Sequence, residues 1–318
     1  MDEHFLQKST NYHSINLWHF IVSIAIGLTM LSYNISFAMG AKSRPDGKGL
    51  YLYSCKEISR FLKKIGYPDY TIKSVGDITR NSDGTALRFV EWYKRKGIVV
   101  TCDGTIKELY VPGYAAWFND ENQAIAWLDK GRVYYKNGMS EEPPFIADYR
   151  ADPSGEYFMK PIHSPVDKRT SIGVAIYSIE RPDFPLVKVK VDWGEDIFLK
   201  DDMVLFFGSD FRDRDEKEKL FIFKRKGRKL LQIEKVIIKR PEKSPAPFYV
   251  QDLSPWSDEV LFCDVYDFGR SIWYVFNLKS REMKKIGKKP FSGGWGFYLQ
   301  CDIIKEATKK FKEIKRGE

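Results

Sequence analysis

Short apolar runs separated by turn residues fill the middle of this chain. Asn81-Ser82-Asp83-Gly84 precedes Ala86-Leu87-Arg88-Phe89-Val90. Phe118-Asn119-Asp120-Glu121-Asn122 precedes Ala124-Ile125-Ala126-Trp127-Leu128, and Lys130-Gly131 then leads into Arg132-Val133-Tyr134-Tyr135. The same order recurs at Asp152-Pro153-Ser154-Gly155 before Glu156-Tyr157-Phe158-Met159, and at Lys200-Asp201-Asp202 before Met203-Val204-Leu205-Phe206-Phe207. Its last full copy is Leu253-Ser254-Pro255-Trp256-Ser257-Asp258-Glu259, which runs into Val260-Leu261-Phe262-Cys263. Asn, Asp and Gly reverse a chain because they tolerate positive φ or bond the local backbone. Continuous apolar runs of this length suit strands covered on both faces.

A sheet made of such strands cannot cover its own two faces, so successive sheets must stack. A ring of sheets also leaves few exposed edges. The turns at Gly84, Asn122, Gly155, Asp202 and Asp258 follow one another at intervals of 38, 33, 47 and 56 residues. The early intervals approach the ~40–50 residues of one propeller blade, and the later ones require long loops. The expected fold class is therefore all-β: a β-propeller of about six four-stranded blades, with short amphipathic helices near both ends.

The end helices follow from a change of period. Leu50-Tyr51-Leu52-Tyr53 reads as a strand. Ile58, Phe61, Leu62 and Ile65 then recur at helical spacing, which predicts a helix over Cys55–Ile65 stopping at Gly66. Ile304, Ala307, Phe311 and Ile314 mark a second, basic helix. Such a helix either lies on a membrane surface or, as is commoner, packs its apolar stripe on its own domain.

Three segments resemble a known family. Asp152-Pro153-Ser154-Gly155-Glu156-Tyr157-Phe158 and Leu253–Phe262 are similar to the turn-and-strand unit of TolB-like and related WD-repeat-like propellers. Ile272-Trp273-Tyr274-Val275-Phe276-Asn277-Leu278, ahead of Ser280-Arg281-Glu282, resembles that family's third strand. The resemblance spans residues 70–287. It implies the fold and a protein, peptide or glycan ligand bound at a face of the ring. It carries no catalytic residue across.

The one long apolar stretch, Leu17–Leu31, is followed by small residues that offer cleavage sites at Ser36-Phe37-Ala38 and Ala38-Met39-Gly40. Residues 1–41 are read as a signal peptide in preference to an uncleaved membrane anchor, although the run extended to Ala41 approaches the ~20 residues of a bilayer span. Residues 42–318 form the propeller domain. The segment before Leu17 lacks the usual positive bias, because Asp2 and Glu3 offset Lys8. Export places the mature chain in the periplasm or outside the cell.

Formal net charge is +9, and Asp2, Glu3 and Lys8 contribute −1, leaving +10 on the remainder. Lys279–Glu318 holds twelve Lys/Arg against five Asp/Glu. That excess suits an anionic surface, or serves only solubility. Nucleic acid is not expected, since no nucleic-acid-binding motif accompanies the basic hairpin tip Lys224–Lys229. Membrane contact is assigned to the N-terminal segment alone.

Site chemistry is sparse. Of four histidines, only His163 lies beyond the export segment, in a loop-like stretch between Pro161 and Pro165, so no histidine metal site or Ser-His-Asp relay is expected. Asp210–Lys219 interleaves acids with Arg212, Arg214 and Lys217 and reads as a charged hairpin loop rather than a calcium loop. Ser292-Gly293-Gly294-Trp295-Gly296 reads as a tight turn with close backbone approach, not a phosphate cradle. Cys55, Cys102, Cys263 and Cys301 allow two disulfides. A Cys55–Cys301 bridge would join the ends of the folded region, whereas Cys102 and Cys263 read as small buried hydrophobes. No catalytic, cofactor-binding or metal residue is assigned and no cofactor is expected. The leading expectation is a non-enzymatic binding or scaffold propeller of the envelope. A carbohydrate-active hydrolase or lyase using carboxylates such as Asp192, Glu195, Asp196, Asp264 or Asp267, and a membrane-tethered sensor, remain the alternatives.

Overall fold

The structure, a computed structural model, describes residues 47–67, 75–91, 94–143, 149–166, 170–210, 218–239, 248–266, 270–291 and 294–317. The export segment and Asp267 lie outside the described residues, as does most of the charged run after Asp210.

Five four-stranded antiparallel sheets follow one another in chain order, each a meander. Blade 1 is β2 (Val75–Arg80), β3 (Ala86–Glu91), β4 (Lys96–Thr101) and β5 (Ile106–Tyr110). Blade 2 is β6 (Ala115–Phe118), β7 (Ala124–Asp129), β8 (Arg132–Tyr135) and β9 (Ser140–Glu141). Blade 3 is β10 (Arg150–Ala151), β11 (Tyr157–His163), β12 (Ser171–Ser178) and β13 (Val187–Val189). Blade 4 is β14 (Trp193–Lys200), β15 (Met203–Ser209), β16 (Glu218–Lys226) and β17 (Lys229–Ile238). Blade 5 is β18 (Phe248–Leu253), β19 (Glu259–Tyr266), β20 (Arg270–Asn277) and β21 (Met283–Phe291).

The ring is completed by a sixth, two-stranded sheet. It pairs β1 (Gly49–Ser54), from the start of the domain, with β22 (Gly294–Leu299), from its end. The chain is thus a β-propeller of five full blades and a narrow closing sheet. Gly294-Trp295-Gly296 belongs to β22 rather than to a turn: a Cβ on Gly294 would meet Tyr53 O at 2.2 Å, so the glycine lets the two strands approach.

Helix α1 (Cys55–Lys64) follows β1 directly and packs on it. It starts at a capping box, Ser54 accepting from Glu57 N while Glu57 accepts from Ser54 N. Its stripe Ile58, Phe61 and Leu62 is buried, with Phe61 against Phe89 of β3 at 6.0 Å between ring centres. Helix α2 (Ile303–Gly317) follows β22 and packs on α1 and β4. Its fully buried positions are Ile303 and Ala307, while Ile314 is 55% exposed. Of the expected stripe, Ala307 is fully buried, Ile304 and Phe311 are half-buried and Ile314 is exposed, while Ile303 lay outside it.

Between consecutive blades the two facing sheets share an apolar layer. Blades 4 and 5 pack Phe198, Leu205, Phe207 and Leu220 against Val260, Phe262, Tyr274 and Phe276. Blades 3 and 4 do likewise around Met159, Ile176, Phe206 and Phe223. Burying both faces of each sheet is why the strands read as unbroken apolar runs.

The first strands of blades 2 to 5 touch in order, β6 to β10, β10 to β14 and β14 to β18, and β18 touches β22 of the closing sheet, so these strands line the centre. The turns that leave these strands interlock on one face of the ring. Ser82 N and Oγ donate to Asp120, and Arg88 donates to Asn122 Oδ1 and Asn119 O, tying blade 1 to blade 2. Lys200 Nζ donates to Ser254 O and Ser257 O, tying blade 4 to blade 5. Gln300 N donates to Gly84 O, tying the sixth sheet to blade 1. The aspartate and asparagine turns recognised in the sequence therefore stitch blades together as well as reversing the chain.

The disulfide differs from expectation. Cys301, just after β22, is bonded to Cys102 at the end of β4, with Cα atoms 5.7 Å apart. Cys55 begins α1 as a half-buried thiol, and Cys263 is a buried thiol within β19. The pairing of Cys55 with Cys301 fails because β1 and β22 are antiparallel. Ser54 sits opposite Gly294, at the other end of the sheet from Leu299. The β4–β5 turn, not the start of α1, is what Cys301 reaches.

Candidate functional site

Since the turns leaving the first strands occupy one face, the first strands begin on the other. This leading face carries aromatic and charged groups at the heads of the strands. At blade 4, β14 opens with Trp193-Gly194-Glu195-Asp196, and a bulge makes Glu195 an extra residue between Gly194, opposite Gly208, and Asp196, opposite Phe207. A bulge re-aims the side chain it inserts. Glu195 bridges two sheets: one carboxylate oxygen accepts from Ser209 Oγ of its own blade and the other from Val250 N of β18, at 3.3 Å.

Beside it on β18, Tyr249 is 40% exposed, and Cys263 is its register partner on β19. Burial raises the Tyr249 hydroxyl pKa, and the charges of Glu195 and Cys263 raise it further. The phenol therefore stays protonated, able to donate. Lys219 of β16, nearly buried, pairs with Asp210 at 2.6 Å. Burial pushes Asp210 up, but Lys219, the Asp192 N–H and Lys235 outweigh it and hold the carboxyl below its ordinary range. Trp193 and Asp196 at the head of β14 and Trp295 at the head of β22 are half-buried, and Tyr114, just before β6, is 36% exposed. Arg150, at the head of β10, is exposed.

The carboxylates singled out in the sequence divide accordingly. Asp192, Glu195 and Asp196 cluster at the head of blade 4, with Glu195 tied across to blade 5. Asp264 is buried in β19, level with Phe248 and Ile272. His163 ends β11 instead of lying in a loop, because the strand runs through Pro161. Among the described residues the inner neighbour β10 pairs only with Phe158 and Met159, short of Pro161. Among the described residues, no group of three or more His, Cys, Asp or Glu is arranged to hold a metal ion.

Sequence reasoning missed a second cluster, buried between blades 2 and 3. Lys160 Nζ lies 4.4, 5.1 and 5.2 Å from the ring centres of Tyr177, Phe158 and Tyr135. It donates to Glu141 and to Pro182 O, each at 2.8 Å. Glu141 also accepts from Tyr135 Oη and from Tyr149 Oη. Burial lowers the Lys160 pKa, and Glu141 opposes the shift. Burial and Glu141 together push Tyr135 and Tyr149 well up. The neighbouring cavity of about 10 Å³, lined by Trp117, Ile125 and Phe158 among others, holds at most one water. This cluster is a cross-blade fastener filled by its own cation. Nothing local marks it, since Glu141 and Lys160 belong to different blades.

No protein-family model matches the chain, and no curated protein sequence matches it. Solved structures do resemble it. TolB from Acinetobacter baumannii is 11% identical over 70% of this chain and 56% of its own, with a TM-score of 0.42. The β-propeller domain of the Trilobed protease from Pyrococcus furiosus is 13% identical over 67% of this chain and 57% of its own, at 0.30. Apo AztD from Citrobacter koseri is 9% identical over 70% of this chain and 88% of its own, at 0.32. The chain thus spans little more than half of the first two. At such identities and TM-scores these matches add nothing to the fold, which the five meander sheets and the β1–β22 pairing show by themselves.

Proposed function

We propose that this chain is an exported binding propeller of the cell envelope, periplasmic or extracellular, which engages a protein, peptide or glycan partner on its leading face without transforming it. Residues 1–41 act as its export segment and residues 42–318 as its working domain. The observation that carries the reading is the division of labour between the two faces. One face is knitted by turn-to-turn hydrogen bonds. The other presents Tyr249, Tyr114, Trp193 and Trp295 at strand heads, beside Asp192 and Asp196. Rigid aromatic side chains lose little entropy on binding and carry both apolar area and a polar tip.

Two further facts support it. The Cys102–Cys301 disulfide suits an oxidising compartment, as does the apolar Leu17–Leu31 segment. Two carboxylates of blade 4 are engaged in the ring, Glu195 by Ser209 and Val250 and Asp210 by Lys219, which suits a scaffold better than acid–base chemistry. The test is in-cell photo-cross-linking from position 249, with Leu231 on the outer strand β17 as control. A partner captured from 249 and not from 231, in a compartment where Cys102 and Cys301 resist alkylation until reduced, is expected. Equal capture from both positions, or none from either, overturns the proposal.

A further inference from the structure

The geometry points to α2 as a basic spur that docks the domain on an anionic phospholipid surface. This names a partner beyond the leading face, and it rests on the export reading only in that a membrane must be within reach.

The root of the spur is rigid. Ile303 and Ala307 are fully buried, and Cys301 is bonded to Cys102. Lys310 Nζ donates to Thr105 Oγ1 at 3.0 Å and to Asp103 O at 3.2 Å. Beyond Phe311 the character changes, and every residue from Lys312 to Arg316 is exposed. Lys305, Lys309, Lys312 and Arg316 fall at helical spacing on one stripe, and Lys315 lies over the Phe311 ring at 5.0 Å. Glu313 is the one exposed carboxylate of the helix among the described residues.

The adjoining helix α1 repeats the pattern, with Lys56, Arg60, Lys63 and Lys64 exposed and Glu57 occupied by the capping box. A soluble polyanion would need only the charges. Ile314, 55% exposed among them, adds an apolar tooth of the kind that enters the headgroup boundary of a bilayer. Gly47 also packs against Gln300, three residues before α2.

The protein is purified as the exporting cell leaves it and floated with vesicles of phosphatidylcholine alone or containing about 30% phosphatidylglycerol, at low and high salt. The readout is the increment that anionic lipid adds. Wild type is expected to gain that increment at low salt and lose it at high salt. The triple variant Lys309→Gln, Lys312→Gln, Lys315→Gln is expected to lose it by about tenfold or more. Ile314→Ser is expected to weaken it while leaving heparin binding unchanged. Neutralising Lys224, Lys226 and Lys229 at the hairpin tip, an equal loss of charge elsewhere, is expected to leave it intact. No increment for wild type, equal loss in both triple variants, or binding to heparin without binding to vesicles overturns the inference. Each of these results is independent of cross-linking at position 249.

Discussion

Arg80 and Asp252 are 172 residues apart in the chain, yet the Arg80 Nε lies 2.8 Å from both carboxylate oxygens of Asp252, with both side chains buried. Arg80 ends β2 of blade 1 and Asp252 lies in β18 of blade 5, so the pair reaches past the narrow closing sheet. Arg80 also donates to Asn81 O, Ser82 O and Leu253 O. Asp252 accepts from Tyr298 N of β22 at 2.7 Å. Three sheets therefore meet on one ion pair, at the thinnest part of the ring.

Breaking this pair from one side leaves a buried charge unmatched. Arg80→Ala or Asp252→Ala is expected to cost about 3–5 kcal/mol, far more than loss of an exposed pair such as Lys224–Asp202. Urea unfolding of the three variants checks this. A cost for Arg80→Ala no greater than for Lys224→Ala would remove the clamp from the account.

The Cys102–Cys301 bridge spans 199 residues and fixes the root of α2 to blade 1. Its reduction, or the variant Cys102→Ala, is expected to lower stability by about 2–5 kcal/mol. Peptide mapping without reduction should recover the 102–301 linked pair, with Cys55 and Cys263 alkylated only as thiols. A peptide linking Cys55 to Cys301 would show the pairing to be wrong.

Asp152, in the turn between β10 and β11, is buried, and burial raises its pKa to about 6 despite bonds from Ser154 and the Tyr157 N–H. The folded state thus holds this proton more tightly than the unfolded chain does. Its contribution is fully present below about pH 4 and disappears as pH rises through 6, a change of about 3 kcal/mol at most. Thermal unfolding followed from pH 4 to 7 should fall more steeply for wild type than for Asp152→Asn. Parallel curves would mean that Asp152 titrates normally.

Gly84 has φ +75°, and a Cβ there would meet Tyr298 O at 2.7 Å. Gly138 has φ +86° with nothing within 4 Å. Gly138→Ala is expected to cost about 1 kcal/mol, from backbone conformation alone. Gly84→Ala must also move β22 away from blade 1 and should cost at least about twice that. Equal melting temperatures for the two variants would mean that the closing sheet is not tightly seated.

Much of the fold was legible in the primary structure because its signals are local. The turns at Gly84, Asn122, Gly155, Asp202 and Asp258 all fall between the first and second strands of their sheets. The helix after Tyr53 shows in the spacing of Ile58, Phe61 and Leu62. The candidate site was far less legible. Asp192, Glu195 and Asp196 stood among many carboxylates, and only a bulge in β14 decides that Glu195 points to the next blade. Tyr249 gave no signal, because its exposure follows from which face β18 begins on.

What the sequence by itself determined is the repeating unit: strand length, turn position and the need of each sheet for a neighbour, all set by the order of apolar and turn residues over a few tens of positions. Only the tertiary structure decided how the ring closes. The partnering of β1 with β22, of Arg80 with Asp252, of Cys102 with Cys301 and of Lys160 with Glu141 joins side chains whose neighbours in sequence say nothing of one another. Their energy exists only once separate sheets have been brought together, and no local pattern encodes that meeting.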